Sequence, residues 1–198
     1  MAVTKTSICN MALMPIGSQR IHDIDDDTDE TAILCNFYYD IIVDEVLRSH
    51  EWNCAIHYQS LAELSSDDDD YILEDYESFS YQYTLPTDPK CLRVLSIPEY
   101  PDENYEIMGE YLLCNLETVV LKYIKRITDP TKFDPLLVQA IAYRLAAELA
   151  LKISSSPGIR DDMLKMYEWQ LNRAATIDGI ESEAPQVEEY SIRDAKDE

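Results

Sequence analysis

The chain has 198 residues, 46% of them hydrophobic, which is enough for one folded domain with a true core. It carries 39 Asp and Glu against 16 Lys and Arg, a formal net charge of −23. A surface this acidic repels the phosphates of nucleic acids and of anionic membranes, so it disfavours specific binding to either and suits a basic partner or a surface that does not adhere to DNA.

The N-terminal segment, residues 1–54, predicts two helices. The first covers about residues 4–14, with Thr4 or Thr6 as its N-cap, and a proline and a glycine stop it. An acidic loop, Asp23 to Glu30, follows, in which six of eight residues are Asp or Glu. This negative charge lies just before the next helix, where the helix dipole favours it.

The second helix is predicted from about Thr28 to His50. Ile33, Phe37, Ile41 and then Val43 to Leu47 recur near helical spacing, so we expect them to supply its apolar side. Trp52 follows the helix end, and we expect it to fold back into the core.

Residues 55–127 are rich in Tyr, Val, Ile and Leu and are broken by prolines and acidic loops, which is typical of a small antiparallel β domain. The predicted strands are Tyr81–Leu85, Cys91–Ile97, Tyr105–Met108, Tyr111–Cys114 and Val119–Ile127. Gly109-Glu110 predicts a two-residue hairpin turn. The run Asp67 to Asp70 predicts a solvated loop.

The chain returns to helix in residues 128–178. Asp134 and Pro135 are an N-cap and a first helical residue, and this helix runs to about Ile153. It is apolar around most of its circumference, so we expect a neighbouring subunit to supply cover that one small chain lacks. The candidate subunit-interface residues are Ala140, Tyr143, Arg144, Ala146, Ala147 and Glu148.

A final helix is predicted from about Ile159 to Ile177, and residues 179–198 form an extended acidic tail. This tail has too few apolar residues to build a core, so it is either disordered or ordered by docking on a partner. The residues that would dock are Val187, Tyr190 and Ile192. The predicted fold class is α+β, mainly a bundle of four helices with an inserted small antiparallel β domain.

A search for catalytic chemistry finds no motif. The five cysteines are odd in number and none stands in CxxC spacing, which favours reduced thiols over a disulfide framework. His50, Cys54 and His57 have a spacing that could be drawn as a metal site, but a zinc site usually has four ligands. With four glycines there is no glycine-rich phosphate loop. We expect no catalytic residues, no cofactor and no metal.

Four blocks of sequence carry a family resemblance. They are Ile8 to Leu13, Asp44 to Ala55, Tyr83 to Asp88 with Leu92-Arg93-Val94, and Asp134 to Ala150. In this order and at this spacing, the blocks resemble the tail tubular protein A, or gateway adaptor, family of short-tailed bacteriophages. The likeness covers about residues 7–178 and leaves out the acidic run at Asp67 to Asp70 and the tail.

The resemblance implies a structural virion protein with no enzymatic activity. It implies a dodecameric ring at the head–tail junction, assembled in the host cytoplasm and bound to the portal protein above. The tail nozzle protein, and in some phages fibres or spikes, would attach below or around the ring. DNA would pass through the channel without specific binding, and no membrane is involved.

Two functions from other classes stay open at this point. The first is a small cysteine-dependent enzyme that uses Cys54 with His50 or His57. The second is an acidic DNA-mimic inhibitor, a monomer whose carboxylates imitate phosphates and occupy a DNA-binding partner. Formation of a ring would distinguish the adaptor from both of these alternatives.

Overall fold

The computed structural model describes residues 2–73 and 78–182. Within them the protein is α+β, with four helices and two small antiparallel sheets of three strands each. The helices are α1 (Lys5–Leu13), α2 (Glu30–Ser49), α3 (Pro135–Ile153) and α4 (Pro157–Ser182). The strands, all between α2 and α3, are β1 (Ile56–Ser60), β2 (Tyr81–Thr84), β3 (Cys91–Ser96), β4 (Glu106–Met108), β5 (Tyr111–Cys114) and β6 (Val120–Lys125).

Side chains just before the helices explain where three of them begin. Thr4 caps α1 in a capping box, because its hydroxyl accepts from the Ser7 amide and the Ser7 hydroxyl accepts from the Thr4 amide. Asp29 caps α2 by accepting from two first-turn amides. Asp134 caps α3, with Pro135 as its first residue, which confirms the predicted start of this helix.

The main hydrophobic core lies among the helices. The apolar residues of α3 pack against α1, α2 and α4. Trp52 is buried in this core, as predicted, and its indole N–H donates to the Val46 carbonyl at 2.9 Å. That bond satisfies the one polar atom of the Trp52 side chain.

The strands form two sheets, whereas the sequence predicted one. One sheet has the order β1-β6-β3 and the other the order β2-β5-β4. The first strand of the first sheet, Ile56–Ser60, was not predicted. Its burial does not follow its polarity, because Tyr58 is exposed while His57 and Gln59 contact Tyr123. The second hydrophobic core lies between elements of the two sheets and includes Tyr83, Leu112 and Tyr123.

The hairpin turn between β4 and β5 is confirmed. Met108 pairs with Tyr111, so Gly109 and Glu110 form a two-residue loop. Gly109 has φ +61°, and it is the only one of the two with a positive φ, which matches a type II′ turn with glycine first. The acidic run Asp67 to Asp70 is exposed, as predicted for a solvated loop.

Helix α4 is longer than predicted. The sequence predicts its end at about Ile177 and an extended tail from residue 179, but the helix continues through Gly179 to Ser182. A single glycine costs a helix only about 1 kcal/mol relative to alanine, so it need not end one. The remainder of the predicted tail, residues 183–198, lies outside the described residues.

Candidate functional site

The structure buries the three alanines that were predicted at a subunit interface. Ala140, Ala146 and Ala147 are each at most 1% exposed in the single chain, where α1, α2 and α4 surround α3. The reasoning that α3 needs a neighbouring subunit for cover is therefore wrong, because the chain's own helices supply that cover. The small alanine side chains let these helices approach α3 closely.

The other three interface candidates lie at the edge of the core. Arg144 is partly exposed and forms ion pairs with Glu148 at 3.0 Å and with Glu45 of α2 at 2.8 Å. Burial opposes the charge of Arg144, but the hydrogen bonds to Glu45 and Glu148 outweigh it and raise its pKa. The Arg144 cluster therefore joins α3 to α2 within one chain. Tyr143 is half-buried.

An exposed apolar stripe runs along α2. Ile33, Phe37 and Ile41 are 49%, 64% and 56% exposed, and their i, i+4, i+8 spacing places them on one face of the helix. Of the apolar residues predicted for this helix, these three are exposed, whereas Val43, Val46 and Leu47 are buried. The buried face of α2 is a different one, which includes Tyr39 and Val46.

A second apolar surface is a groove between the end of α1 and the first half of α3. Its volume is about 530 Å³. Its lining residues are Met11, Met14, Pro15, Gln139, Ala142 and Tyr143. The side chains of Met11 and Met14 are 41% and 56% exposed. The groove shares no residue with the α2 stripe, and methionine side chains adapt readily to the shape of a partner.

The two histidines considered for catalysis or metal binding pack against aromatic rings. The His57 ring packs edge-on against Tyr123 with ring centroids 5.6 Å apart, and the His50 ring packs in the same way against Trp52. Cys54 is half-buried, close to the helical core. Among residues 2–73 and 78–182, no group of three or more His, Cys, Asp or Glu side chains could hold a metal ion.

The five thiols lie in different environments. Cys9, Cys35 and Cys114 are buried, while Cys54 and Cys91 are partly exposed. Burial raises the pKa of the Cys91 thiol to about 11. A thiol with so high a pKa stays protonated near neutral pH, which makes Cys91 a poor nucleophile.

Comparisons with known proteins leave the family open. No protein-family model matches this chain, and no curated protein matches it at a significant level of similarity. None of the helices in the described part of the chain combines the length and the apolar character that crossing a bilayer requires. The predicted portal-docking residues Val187, Tyr190 and Ile192 lie outside the described residues.

The sequence did not predict the exposed stripe on α2 or the groove between α1 and α3, although one signal for the stripe was visible. Helix α2 carries apolar residues at two sets of helical positions, one with Ile33, Phe37 and Ile41 and one with Tyr39 and Val46. Two apolar faces on one helix indicate that one of them faces something other than the core. The sequence does not say which face that is.

Proposed function

We propose that this chain is a structural subunit of a tailed bacteriophage, a head-to-tail adaptor that forms a ring between the portal and the tail and a conduit for DNA. The observation that carries the proposal is the pair of apolar surfaces, the α2 stripe and the groove between α1 and α3. A ring in which every subunit touches two neighbours needs two different patches on each subunit. This chain offers two, on a surface that is otherwise strongly charged.

The arrangement of the elements supports the same proposal. The six strands all lie between α2 and α3, and α3 packs against the other three helices. This layout fits a helical bundle with a β domain inserted in it, as in the adaptor family that the sequence blocks resemble. On this proposal residues 1–54 and 128–178 form the bundle and residues 55–127 form the insertion.

The charge of the chain fits a conduit. With a net charge of −23 per subunit, a channel lined by this protein would repel the phosphates of DNA and let it slide without specific binding. The proposed partners are further copies of the chain, the portal protein, and a tail nozzle protein with fibres or spikes. The proposed location is the virion head–tail junction, after assembly in the host cytoplasm.

The experiment that tests the proposal is native mass spectrometry with electron microscopy of the purified chain, alone and mixed with portal protein. The adaptor should form rings in at least one of these samples, and we expect twelve subunits from the family resemblance. A chain that stays monomeric even with portal present would contradict the proposal. It would then favour the enzyme or the DNA mimic.

Variants of the α2 stripe test the surface itself. Phe37→Asp with Ile41→Asp should leave the monomer folded, because both side chains are more than half exposed. Burying the exposed part of each of these two side chains in an interface would contribute about 1–2 kcal/mol per side chain. Loss of both should therefore weaken assembly by about 30-fold or more. Tyr58→Asp is the control, since Tyr58 is 56% exposed but lies on β1. If the stripe variant and the Tyr58→Asp control lose assembly equally, the α2 stripe is not part of the subunit interface.

The cysteine-dependent enzyme is tested on the same preparations. Replacing Cys54, His50 and His57 by alanine should leave ring assembly intact if the chain is an adaptor. Because Cys54 and His50 lie at the edge of the helical core, thermal unfolding of the triple variant must first show that it is folded.

A further inference from the structure

One pocket gathers cationic side chains on this acidic protein. It lies where the ends of β3 and β6 meet the segment before α3, and its volume is about 430 Å³. Lys90, Lys125, Arg126 and Lys132 line it, so it holds four of the 16 Lys and Arg of the chain. Cys54 lies on one wall. These cations come from distant parts of the sequence, so no local motif predicts the pocket.

Much of this positive charge is not neutralised nearby. Arg126 is paired with Asp44 at 2.8 Å. In the part of the chain that the structure describes, by contrast, Lys90, Lys125 and Lys132 have no carboxylate within 4 Å.

Two carboxylates also line the pocket, and they offset only part of its charge. They are Asp88 and Asp129, and because Arg126 is already paired with Asp44, they stand against the three lysines. The Asp129 carboxylate is already engaged, because it accepts hydrogen bonds from the Thr131 amide and hydroxyl at 3.0 and 2.7 Å. The pocket is therefore a positive depression on a negative surface, and such a place favours an anionic ligand.

The described chain ends beside this pocket. Helix α4 runs past the start of α3, where the Gln170 side-chain amide lies 3.5 Å from the Leu136 carbonyl oxygen. Near its end, Glu181 accepts a hydrogen bond from the Asn53 side chain at 3.4 Å. Asn53 is the neighbour in sequence of Cys54, which lines the pocket. The segment that follows α4 therefore starts close to the pocket.

That segment, residues 183–198, has the complementary charge. It contains six acidic residues against two basic ones, Arg193 and Lys196. Two of its glutamates, Glu188 and Glu189, are adjacent and lie only a few residues after Ser182. At about 3.3 Å per residue an extended chain could place these two carboxylates up to roughly 20 Å from the end of α4, which is ample to reach the pocket.

We propose that the basic pocket is a docking site for an acidic peptide and that its occupant is the chain's own segment 183–198. Carboxylates of the segment accept charge-assisted hydrogen bonds from the pocket lysines. Because the segment is tethered beside the pocket, its effective concentration there is high, so a few weak ion pairs suffice to hold it. The contact weakens as salt screens the charges.

The proposal is independent of ring formation, and it adds a consequence for the predicted docking residues. Val187, Tyr190 and Ile192 belong to the same segment. A partner that binds these residues would therefore compete with the pocket for the segment. Failure of the pocket experiment would leave the adaptor proposal standing, and failure to form rings would leave the pocket proposal standing.

The test is zero-length carbodiimide cross-linking of the full-length protein at low and high salt, with cross-links mapped by mass spectrometry. Mixing nitrogen-15-labelled and unlabelled protein distinguishes cross-links within one chain from those between chains. We expect cross-links within one chain from Lys125 or Lys132 to Glu188 or Glu189, and fewer of them at high salt. The segment variant E188Q with E189Q loses these two reactive carboxyl groups, so its readout is the set of cross-links from Lys125 or Lys132 to the other acidic residues of the segment. Their yield should fall about fivefold or more, as expected for the loss of two surface ion pairs.

Charge-reversal variants give the matched control. In Lys90→Glu with Lys132→Glu, cross-links from the segment to Lys125 should fall about fivefold or more, because the pocket loses its attraction for the segment. Lys152→Glu with Lys165→Glu makes the same change of charge on α3 and α4, away from the pocket, and should leave the yield unchanged. Thermal unfolding shows that each variant is folded.

Three results would overturn the proposal. The first is the absence of cross-links between the pocket and residues 183–198 in the wild type. The second is that such cross-links form only between chains, or that the pocket lysines cross-link instead to the acidic loop Asp23 to Glu30 of a second copy. The third is that a duplex oligonucleotide binds, by fluorescence anisotropy, and loses binding in Lys90→Glu with Lys132→Glu, which would make the pocket a phosphate site.

Discussion

The substitution Ala146→Glu tests the finding that α3 is covered within one chain. Ala146 is fully buried in the core that α3 forms with the other helices. A glutamate there must displace packed neighbours, which costs about 1–3 kcal/mol. Its carboxyl group would also be buried without a partner, at a further cost of about 1–3 kcal/mol even when protonated. Together this is about 2–6 kcal/mol, against a total stability of about 5–15 kcal/mol for a typical domain.

The measurement is urea unfolding of the monomer, followed by circular dichroism, with Lys152→Glu as the control. Lys152 is exposed on the same helix, and a negative charge in its last turn should cost at most about 1 kcal/mol through the helix dipole. Ala146→Glu should therefore lower the urea midpoint far more than Lys152→Glu, or prevent cooperative unfolding altogether.

A particular result would refute this reasoning. If Ala146→Glu unfolds cooperatively at nearly the same urea concentration as the control, Ala146 does not lie in the core of the monomer. Loss of ring assembly without loss of monomer stability would then point back to α3 as an interface between subunits.

Three further predictions test local features. Gly109→Ala should destabilise the protein by about 1–2 kcal/mol, because φ is +61° there, whereas Gly158→Ala should change stability by less than about 1 kcal/mol in the same urea titration. Asp29→Ala should cost about 1 kcal/mol in thermal unfolding, because the carboxylate caps two amides of α2, and an unchanged melting temperature would contradict this. Hydrogen bonds from Thr131 lower the pKa of Asp129. Ionised Asp129 therefore stabilises the fold at any pH above the ordinary carboxyl pKa, and this stabilisation is lost as the pH falls through the lowered pKa. Carbon-13 NMR titration of Thr131→Val should show the Asp129 pKa moving up toward its ordinary value, and no movement would show that the Thr131 hydroxyl is not the cause.

Local chemistry allowed several elements to be predicted from the sequence. Asp134 and Pro135 specify the start of α3, because a side-chain cap and a residue with no amide hydrogen suit the first turn of a helix. Gly109 marks the hairpin turn, because glycine adopts a positive φ without strain. Features of this kind depend on residues a few positions apart, so they can be read along the chain.

The faces of the helices could not be read in this way. Apolar residues occupy more than one face of both α2 and α3, and hydrophobicity alone does not say whether a neighbouring helix, a second subunit or water lies against each face. The tertiary structure surrounds Ala146 with other helices of the same chain and leaves Phe37 in solvent. It therefore places Ala146, predicted at a subunit interface, inside the monomer, and it separates Phe37 from the buried apolar residues of the same helix.

The sequence by itself determined the helix starts, the hairpin turn and the acidic surface, because each depends on local residues or on composition. Only the tertiary structure decided that there are two sheets and which apolar residues remain exposed. It also brought Lys90 together with Lys125 and Lys132, which are 35 and 42 positions further along the chain. Contacts between residues so far apart follow from the packing of whole elements, which no local pattern records.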